Sequence, residues 1–323
     1  MILIVSFIGC NVMKYNNLMS CEAKALLEKT ILKIDGAYAP STIRAYVADF
    51  RDFITFCDLN KQIALPALPA TITGYMTKLI EQGRCSSSIR RALAGISTIH
   101  NINEVPNPTI RSEVKLSVRR MQRQLGRFNH QAEGITKHIL DDMLACTDNS
   151  LRGYRDRAML LVGYDTMCRR SELVSLRIED ISTQLLDRKN NILSTVIFLR
   201  KSKTDQESHG RWIPISKVAA EALSRWLACA EINAGFIFRG VNRGYKATQK
   251  LSPGQVSRIY KRIASLAGFD QGFVRHISGH SIRVGAAQDL LLSGASLPMI
   301  MARGRWSKAD TVMRYVEKIG IPV

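Results

Sequence analysis

The sequence predicts a mainly α protein of two domains: an all-helical N-terminal bundle, then a larger, mostly helical domain that carries a small antiparallel β-sheet. Three observations predict it. The 323 residues are enough for two cores of ordinary size. Apolar residues recur at three- and four-residue spacing over most of the chain. One stretch, residues 192–215, instead contains two β-rich runs around a polar turn.

Residues 1–20 form an N-terminal extension expected to be flexible. Its opening, MILIVSFIGC, lacks a basic leading region and its apolar run is short, so export is not expected. A start nearer Met13 or Met19 accounts for the stretch equally well. No later window approaches the roughly 20 apolar residues that span a bilayer, so no membrane association is expected.

Residues 21–126 read as the helical domain. CEAKALLEKTILKI is amphipathic, and PSTIRAYVADFRDFITFCDLN carries a stripe of Ile43, Val47, Phe50, Phe53 and Ile54 behind Ser41 as the expected N-cap. PATITGYMTKLIEQG, CSSSIRRALAGISTIHNI and TIRSEVKLSVRRMQRQLG continue the series. Residues 127–134 read as a linker, since the flanking glycines and absent apolar periodicity mark an interdomain connection. Residues 135–323 form the second domain. There, ITKHILDDMLACT and LRGYRDRAMLLVGYDTM read as helices, residues 192–199 and 211–215 as strands, and the chain from Lys217 onward returns to helix.

The charge is not ordinary for a globular protein. Lys and Arg number 46 against 27 Asp and Glu, a formal +19. Residues 1–134 carry 17 basic and 10 acidic side chains, residues 135–323 carry 29 and 17. An excess spread over both domains suits a protein that grips a polyanion from two sides, with nucleic acid the leading partner. The seven cysteines include no C-x-x-C pair, so neither a disulfide framework nor a zinc site is expected. Most, Cys229 among them, are expected to pack as small hydrophobes in a reducing compartment such as the cytoplasm.

Four short stretches carry chemistry. In DTMCRRSELVSL, Arg169 and Glu172 stand three residues apart and, alone, read as a helix-surface pair. In LRKSKTD, Lys203 sits at a hairpin tip, where an ammonium is usually solvated but can swing into a groove as a proton donor. In SGHSIRVGAAQ, His280 and Arg283 lie one turn apart near a helix start, so both can point at one anion. The small, apolar neighbours Val284, Gly285, Ala286 and Ala287 imply tight packing in which an oxyanion would satisfy the guanidinium. In GRWSKADTVMRYVEK, Trp306 precedes Tyr315 by nine residues, and a phenol close to such cations is a phosphoryl acceptor.

In order and spacing, Arg169, Lys203, His280, Arg283, Trp306 and Tyr315 resemble the signature of the tyrosine recombinases, the phage-integrase family. The stretch GHSIRVGAAQDLLLSGASLPMIMARGRWSKADTVMRYV is most similar to the Cre-like branch. The resemblance covers most of residues 40–316, more weakly in the helical domain.

It implies the tyrosine recombinase catalytic fold for residues 135–323 and a core-binding DNA-binding domain for residues 21–126. It also implies a set of roles. Tyr315 would be the nucleophile that forms a 3′-phosphotyrosyl link to DNA. Arg169 and Arg283 would clamp the phosphate, Lys203 would protonate the leaving 5′-oxygen, and His280 would bond the phosphate and assist proton transfer. Trp306 would donate its indole N–H, with Glu172 supporting the site. No metal or other cofactor is expected, because these cations supply the positive charge themselves. The expected partner is double-stranded DNA with an inverted-repeat target site, bound by a homotetramer that passes through a Holliday junction and is a monomer or weak oligomer when free.

Candidate DNA contacts are Arg90, Arg91, Arg119, Arg120 and Arg123 in the first domain, and Gln255, Arg258, Lys261 and Arg262 in the second. The last four lie on a helix with Ser252 as N-cap and Pro253 in its first turn, expected to enter the major groove. The resemblance also leads one to expect a helix beyond the tyrosine that docks on a neighbouring protomer. Only VEKIGIPV follows Tyr315, so docking would use Val316, Ile319 and Ile321, or assembly would use other surfaces. A relaxing topoisomerase of the same chemistry and a non-catalytic DNA-binding protein are the competing readings. A bacterial, phage or plasmid-encoded protein acting at the nucleoid is the implied setting.

Overall fold

The computed structural model describes residues 20–126, 131–187, 192–200 and 210–316. The chain divides into two compact units, Met1–Asn129 and His130–Val323.

The first unit contains helices α1 (Ser20–Ile34), α2 (Pro40–Leu59), α3 (Pro69–Glu81), α4 (Ser86–Ile102) and α5 (Ser112–Leu125). Their apolar faces close on one core that includes Leu27, Phe50, Phe53, Ile54, Ile72, Tyr75, Ile89 and Ile96. The expected cap at Ser41 is corrected: α2 begins at Pro40 behind Ala39. Proline lacks an N–H and has the helical φ already set, so it takes the first helical position and moves Ser41 inside the first turn. His100 is fully buried in this core, its Nε2 accepting from the Ala67 N–H at 3.0 Å and its Nδ1 bonded to the Ile96 carbonyl at 2.8 Å. Burial pulls its pKa down to about 4.

The second unit runs α6 (Lys137–Ala145), α7 (Leu151–Thr166), α8 (Arg170–Leu173), strands β1 (Ile181–Asp187), β2 (Ile192–Leu199) and β3 (Arg211–Pro214), then α9 (Lys217–Cys229), α10 (Pro253–Leu266), α11 (Gln271–His276), α12 (Ser281–Leu292), α13 (Leu297–Gly304) and α14 (Ala309–Val316). The sheet is antiparallel in the order β1-β2-β3, with Ile181 opposite Ile197 and Ile197 opposite Ile213. Strand β1 is an addition to the two strands expected. Ser252 and Gln255 close a capping box at the start of α10, as the sequence implies for that serine.

Two cores serve this unit. The larger joins α7, α9 and α10 to the sheet through residues such as Leu160, Val162, Ile197, Trp226, Tyr260 and Ile263. The smaller gathers Met167, Ala286, Ala287, Ile300, Trp306 and Val312, with Tyr164 and Tyr315 packed against it. Residues 281–288 of α12 are all buried. Gly285 permits this, since a Cβ there would stand 1.9 Å from the Ile135 carbonyl oxygen.

Cysteine placement differs in part from expectation. Cys57 and Cys168 are buried, but Cys85, Cys146 and Cys229 are exposed. Cys229 ends α9, whose core contacts are made by Ala219, Leu223 and Trp226 on another face of the helix. Among the described residues, no helix is long and apolar enough to cross a membrane.

Candidate active site

The site is built on the C-terminal end of α7. A helix end leaves carbonyls without intrahelical partners, and these carry the negative pole of the helix dipole. Met167 turns into the left-handed region there, at φ 48°. Two arginines from distant parts of the sequence take up the exposed carbonyls. Arg283 donates from Nη1 to the Met167 carbonyl at 2.6 Å and from Nη2 to the Gly304 carbonyl. Arg305 donates from Nη1 to the Thr166 carbonyl at 2.9 Å and from Nη2 to that of Met167 at 3.1 Å.

Directly after this turn, Arg169 and Glu172 open α8. One oxygen of the Glu172 carboxylate accepts from the Arg169 backbone N–H at 2.9 Å, the other from Arg169 Nη1 at 2.6 Å. Arg305 Nη2 approaches the first of these oxygens at 3.2 Å. Burial by itself would raise the Glu172 pKa. The Arg169 N–H, the Arg169 guanidinium and Arg305 outweigh it and hold the carboxyl below its usual value.

His280 stands immediately before α12 and keeps an exposed edge, with its backbone N–H donating to Ser278 Oγ at 3.0 Å. Desolvation by the surrounding atoms, then the charges of Arg283, Arg169 and Arg170, push its pKa below the usual histidine value and favour the neutral ring. Arg283 is 2 % exposed. Burial and its neighbours Arg169 and Arg305 bring its pKa down to about 10, which leaves it cationic at neutral pH. Its guanidinium carbon lies 4.3 Å from the centre of the Trp306 ring. That ring in turn packs on Tyr315, with centroids 5.6 Å apart at 53°. Tyr315, on α14, is half-buried, and Gln288 Nε2 of α12 donates to its carbonyl at 3.1 Å.

The structure therefore gathers Arg169, Glu172, His280, Arg283, Trp306 and Tyr315 around one centre. Lys203, Ile319 and Ile321 lie outside the described residues, and nothing is described of the Val316 side chain. Two backbone carbonyls engage Nη1 and Nη2 of Arg283, so the protein itself supplies part of what the sequence leads one to expect from an oxyanion. Arg305 was missed. An arginine next to Gly304 at a helix end gives no sequence signal of burial, and its φ of 56° lies where glycine is usual. A non-glycine residue there costs roughly 1 kcal/mol of backbone strain.

The candidate DNA contacts separate into exposed side chains and side chains with protein partners among the described residues. Arg90, Arg119, Arg120, Arg123 and Arg258 are exposed. Arg90 and Arg119, with Lys115, line a cavity of about 450 Å³ on the helical unit. Arg91 grips Asp49 with two bonds of 2.8 and 2.9 Å. Arg262 pairs with Asp156, a buried carboxylate that Arg155 also holds, and Lys261 donates to the Arg275 carbonyl at 2.7 Å. Gln255 accepts from the Ser252 N–H at 2.8 Å.

Guanidinium groups beside an imidazole and a phenol form a donor set for an oxyanion, on a helical fold with a three-stranded sheet. Residues 133–319 match the Phage integrase family, and the chain belongs to that family, the tyrosine recombinases. It is 31% identical to the integrase/recombinase xerD homolog of Selenomonas ruminantium over 94% of this chain and 87% of the relative. It is 26% identical to the recombinase Cre of Escherichia phage P1, over 88% of this chain and 85% of Cre. A lambda integrase tetramer bound to a Holliday junction shares the fold at TM-score 0.63, with 15% identity over 98% of this chain and 82% of that one.

Proposed function

We propose that this protein is a site-specific recombinase that cleaves and rejoins DNA through a 3′-phosphotyrosyl intermediate. The observation that carries the reading is the continuous packing of Tyr315 on Trp306 and of Trp306 on the buried Arg283, beside Arg169 and His280. A scissile phosphate placed there meets cations on its non-bridging oxygens and a phenol within the same cluster.

In the cleavage step, Tyr315 Oη bonds to phosphorus and the P–O5′ bond breaks. The phenolic proton passes to a base, for which the neutral His280 ring is suited. The departing 5′-oxygen takes a proton from Lys203. Arg169 and Arg283 balance the charge on the five-coordinate phosphorus, Trp306 offers its indole N–H, and Glu172 positions Arg169. Attack by a 5′-hydroxyl reverses each bond change, so the link conserves the phosphodiester for rejoining.

The assembly we propose is four protomers on two inverted-repeat duplex sites, exchanging strands through a Holliday junction in the cytoplasm. The helical unit, residues 21–126, would serve as the core-binding domain and residues 135–323 as the catalytic one, joined by the 127–134 linker. The exposed Arg90, Arg119, Arg120, Arg123 and Arg258 are the phosphate contacts in this reading. Gln255, Lys261, Arg262 and Arg91 are placed to join them by giving up or sharing their internal partners.

The test is covalent trapping on a nicked duplex built on the sequence that the protein selects from a random library. Wild type should give a protein–DNA adduct on a denaturing gel, and Tyr315→Phe should give none. A wild type without adduct overturns the reading. Relaxation of plasmid lacking any selected site would favour a topoisomerase instead.

A further inference from the structure

We propose that Arg305 is a positioning residue for strand cleavage: it holds the Glu172 carboxylate and the Met167 carbonyl, and through them sets Arg169 and Arg283 for one phosphate. The inference rests on the roles given above to Tyr315, Arg169 and Arg283.

The argument begins with where Arg305 stands. It follows the last residue of α13 in a left-handed conformation, φ 56° and ψ 49°, which glycine adopts without strain. The chain instead keeps a long cationic side chain there and buries it to 9% exposure. A guanidinium so enclosed requires acceptors, and it has three, from two separate elements: the Thr166 and Met167 carbonyls at the end of α7, and Glu172 in α8.

Two of those acceptors are shared with the proposed phosphate clamp. The Met167 carbonyl also accepts from Arg283, and the Glu172 oxygen also accepts from the Arg169 backbone N–H. Among the described residues, Arg305 is thus the side chain that touches the anchors of both clamp arginines. Among the described residues its buried Nε–H has no partner, so the group forgoes one hydrogen bond while its two Nη atoms hold these acceptors. Arg305 thus acts through the Glu172 and Met167 acceptors that its Nη2 holds.

Arg305→Gly is the informative change, since glycine keeps the backbone turn and removes only the side chain. Single-turnover adduct formation on the nicked duplex is measured against pH, with DNA affinity and Tm in parallel. The charged and titratable groups facing Glu172 are Arg169, Arg305, Arg283 and His280, with the Cys168 thiol also near. Losing Arg305 leaves the Glu172 carboxylate less stabilised, so the acid limb of the cleavage rate should move to higher pH. The expected rate loss is about 10-fold, with affinity and Tm close to wild type. Arg305→Lys, which keeps the charge but not the fork, should recover part of the rate. Arg305→Gly should slow cleavage by a smaller factor in a Glu172→Gln background than in the wild type, since only the Met167 arm is then left to lose.

Cleavage by Arg305→Gly at the wild-type rate overturns the inference. So does a rate loss with an unmoved acid limb that tracks a fall in Tm or DNA affinity, which marks a purely structural role. Should Arg305→Gly fail to fold, Arg305→Lys decides: slower cleavage at unchanged affinity supports the inference and a wild-type rate overturns it. Absence of adduct from wild type as well overturns the parent reading, and this one with it.

Discussion

Arg283 and Trp306 form a buried cation–π pair, the guanidinium carbon 4.3 Å from the ring centre, with Tyr315 packed against the same indole. One ring thus fixes both a proposed clamp and the proposed nucleophile. Trp306→Ala should therefore remove support from both, and losing so large a buried side chain costs about 3 kcal/mol. Trp306→Phe keeps a face for Arg283 and should lose much less stability. Denaturant melts alongside adduct formation check this, and equal stability for the two variants would contradict it.

His280 supplies a prediction in which the sign is fixed by its neighbours. Desolvation and the charges of Arg283, Arg169 and Arg170 lower its pKa. Arg283→Gln removes one of those charges, so the His280 pKa should rise toward the usual histidine value. An NMR titration of the imidazole resonances in the two proteins measures the shift, and a downward movement would count against the described cluster.

His100 makes the helical unit acid-sensitive. Folded, it titrates at about 4, against a usual value of 6.5. The unfolded chain therefore binds the proton more readily, and stability should fall as pH drops from about 6.5 toward about 4. The full loss is on the order of 3 kcal/mol. Urea melts of the protein across this range, beside His100→Gln, test it. A histidine-independent acid profile would refute the assignment.

Gly285 is predicted to tolerate no side chain. A Cβ there would come within 1.9 Å of the Ile135 carbonyl oxygen and 2.5 Å of the Thr136 nitrogen, both backbone atoms that cannot rotate away. Gly285→Ala should cost about 1–3 kcal/mol, the range typical of overpacking. Gly254→Ala, where nothing lies within 4 Å of the added methyl, is the matched control. Thermal melts of the two variants make the comparison.

Salt dependence should sort the basic side chains. Replacing Arg120 or Arg123, exposed on α5, should reduce the slope of log affinity against log salt by about 1 each. Arg91→Ala should also lower Tm, because it breaks the two-bond contact with Asp49. DNA titrations at four salt concentrations measure the slopes.

Most helices were legible because a stripe such as Ile43, Phe50, Phe53, Ile54 is a direct imprint of the 3.6-residue turn. Strand β1 was not, since ISTQLLD follows a run of charged residues and gains its conformation from pairing with β2. Within the site, side chains that recur in a known order were legible, and their acceptors were not. The partners of Arg283 are the carbonyls of Met167 and Gly304, and any residue type has a carbonyl. Arg305 escaped for the same reason, as its partners include the Thr166 and Met167 carbonyls. The helix start at Ser41 failed because Pro40 outcompetes a hydroxyl cap.

The end of α7 makes the proposed site depend on the last part of the chain. Its two terminal carbonyls are claimed by arginines 116 and 139 residues further along the chain, and Tyr315 follows those arginines on α14. The proposed cutting centre is therefore incomplete in any chain whose residues 280–316 have not closed back over Met167. If the proposed roles hold, a partly unravelled chain could bind DNA through its helical unit before it could break a strand.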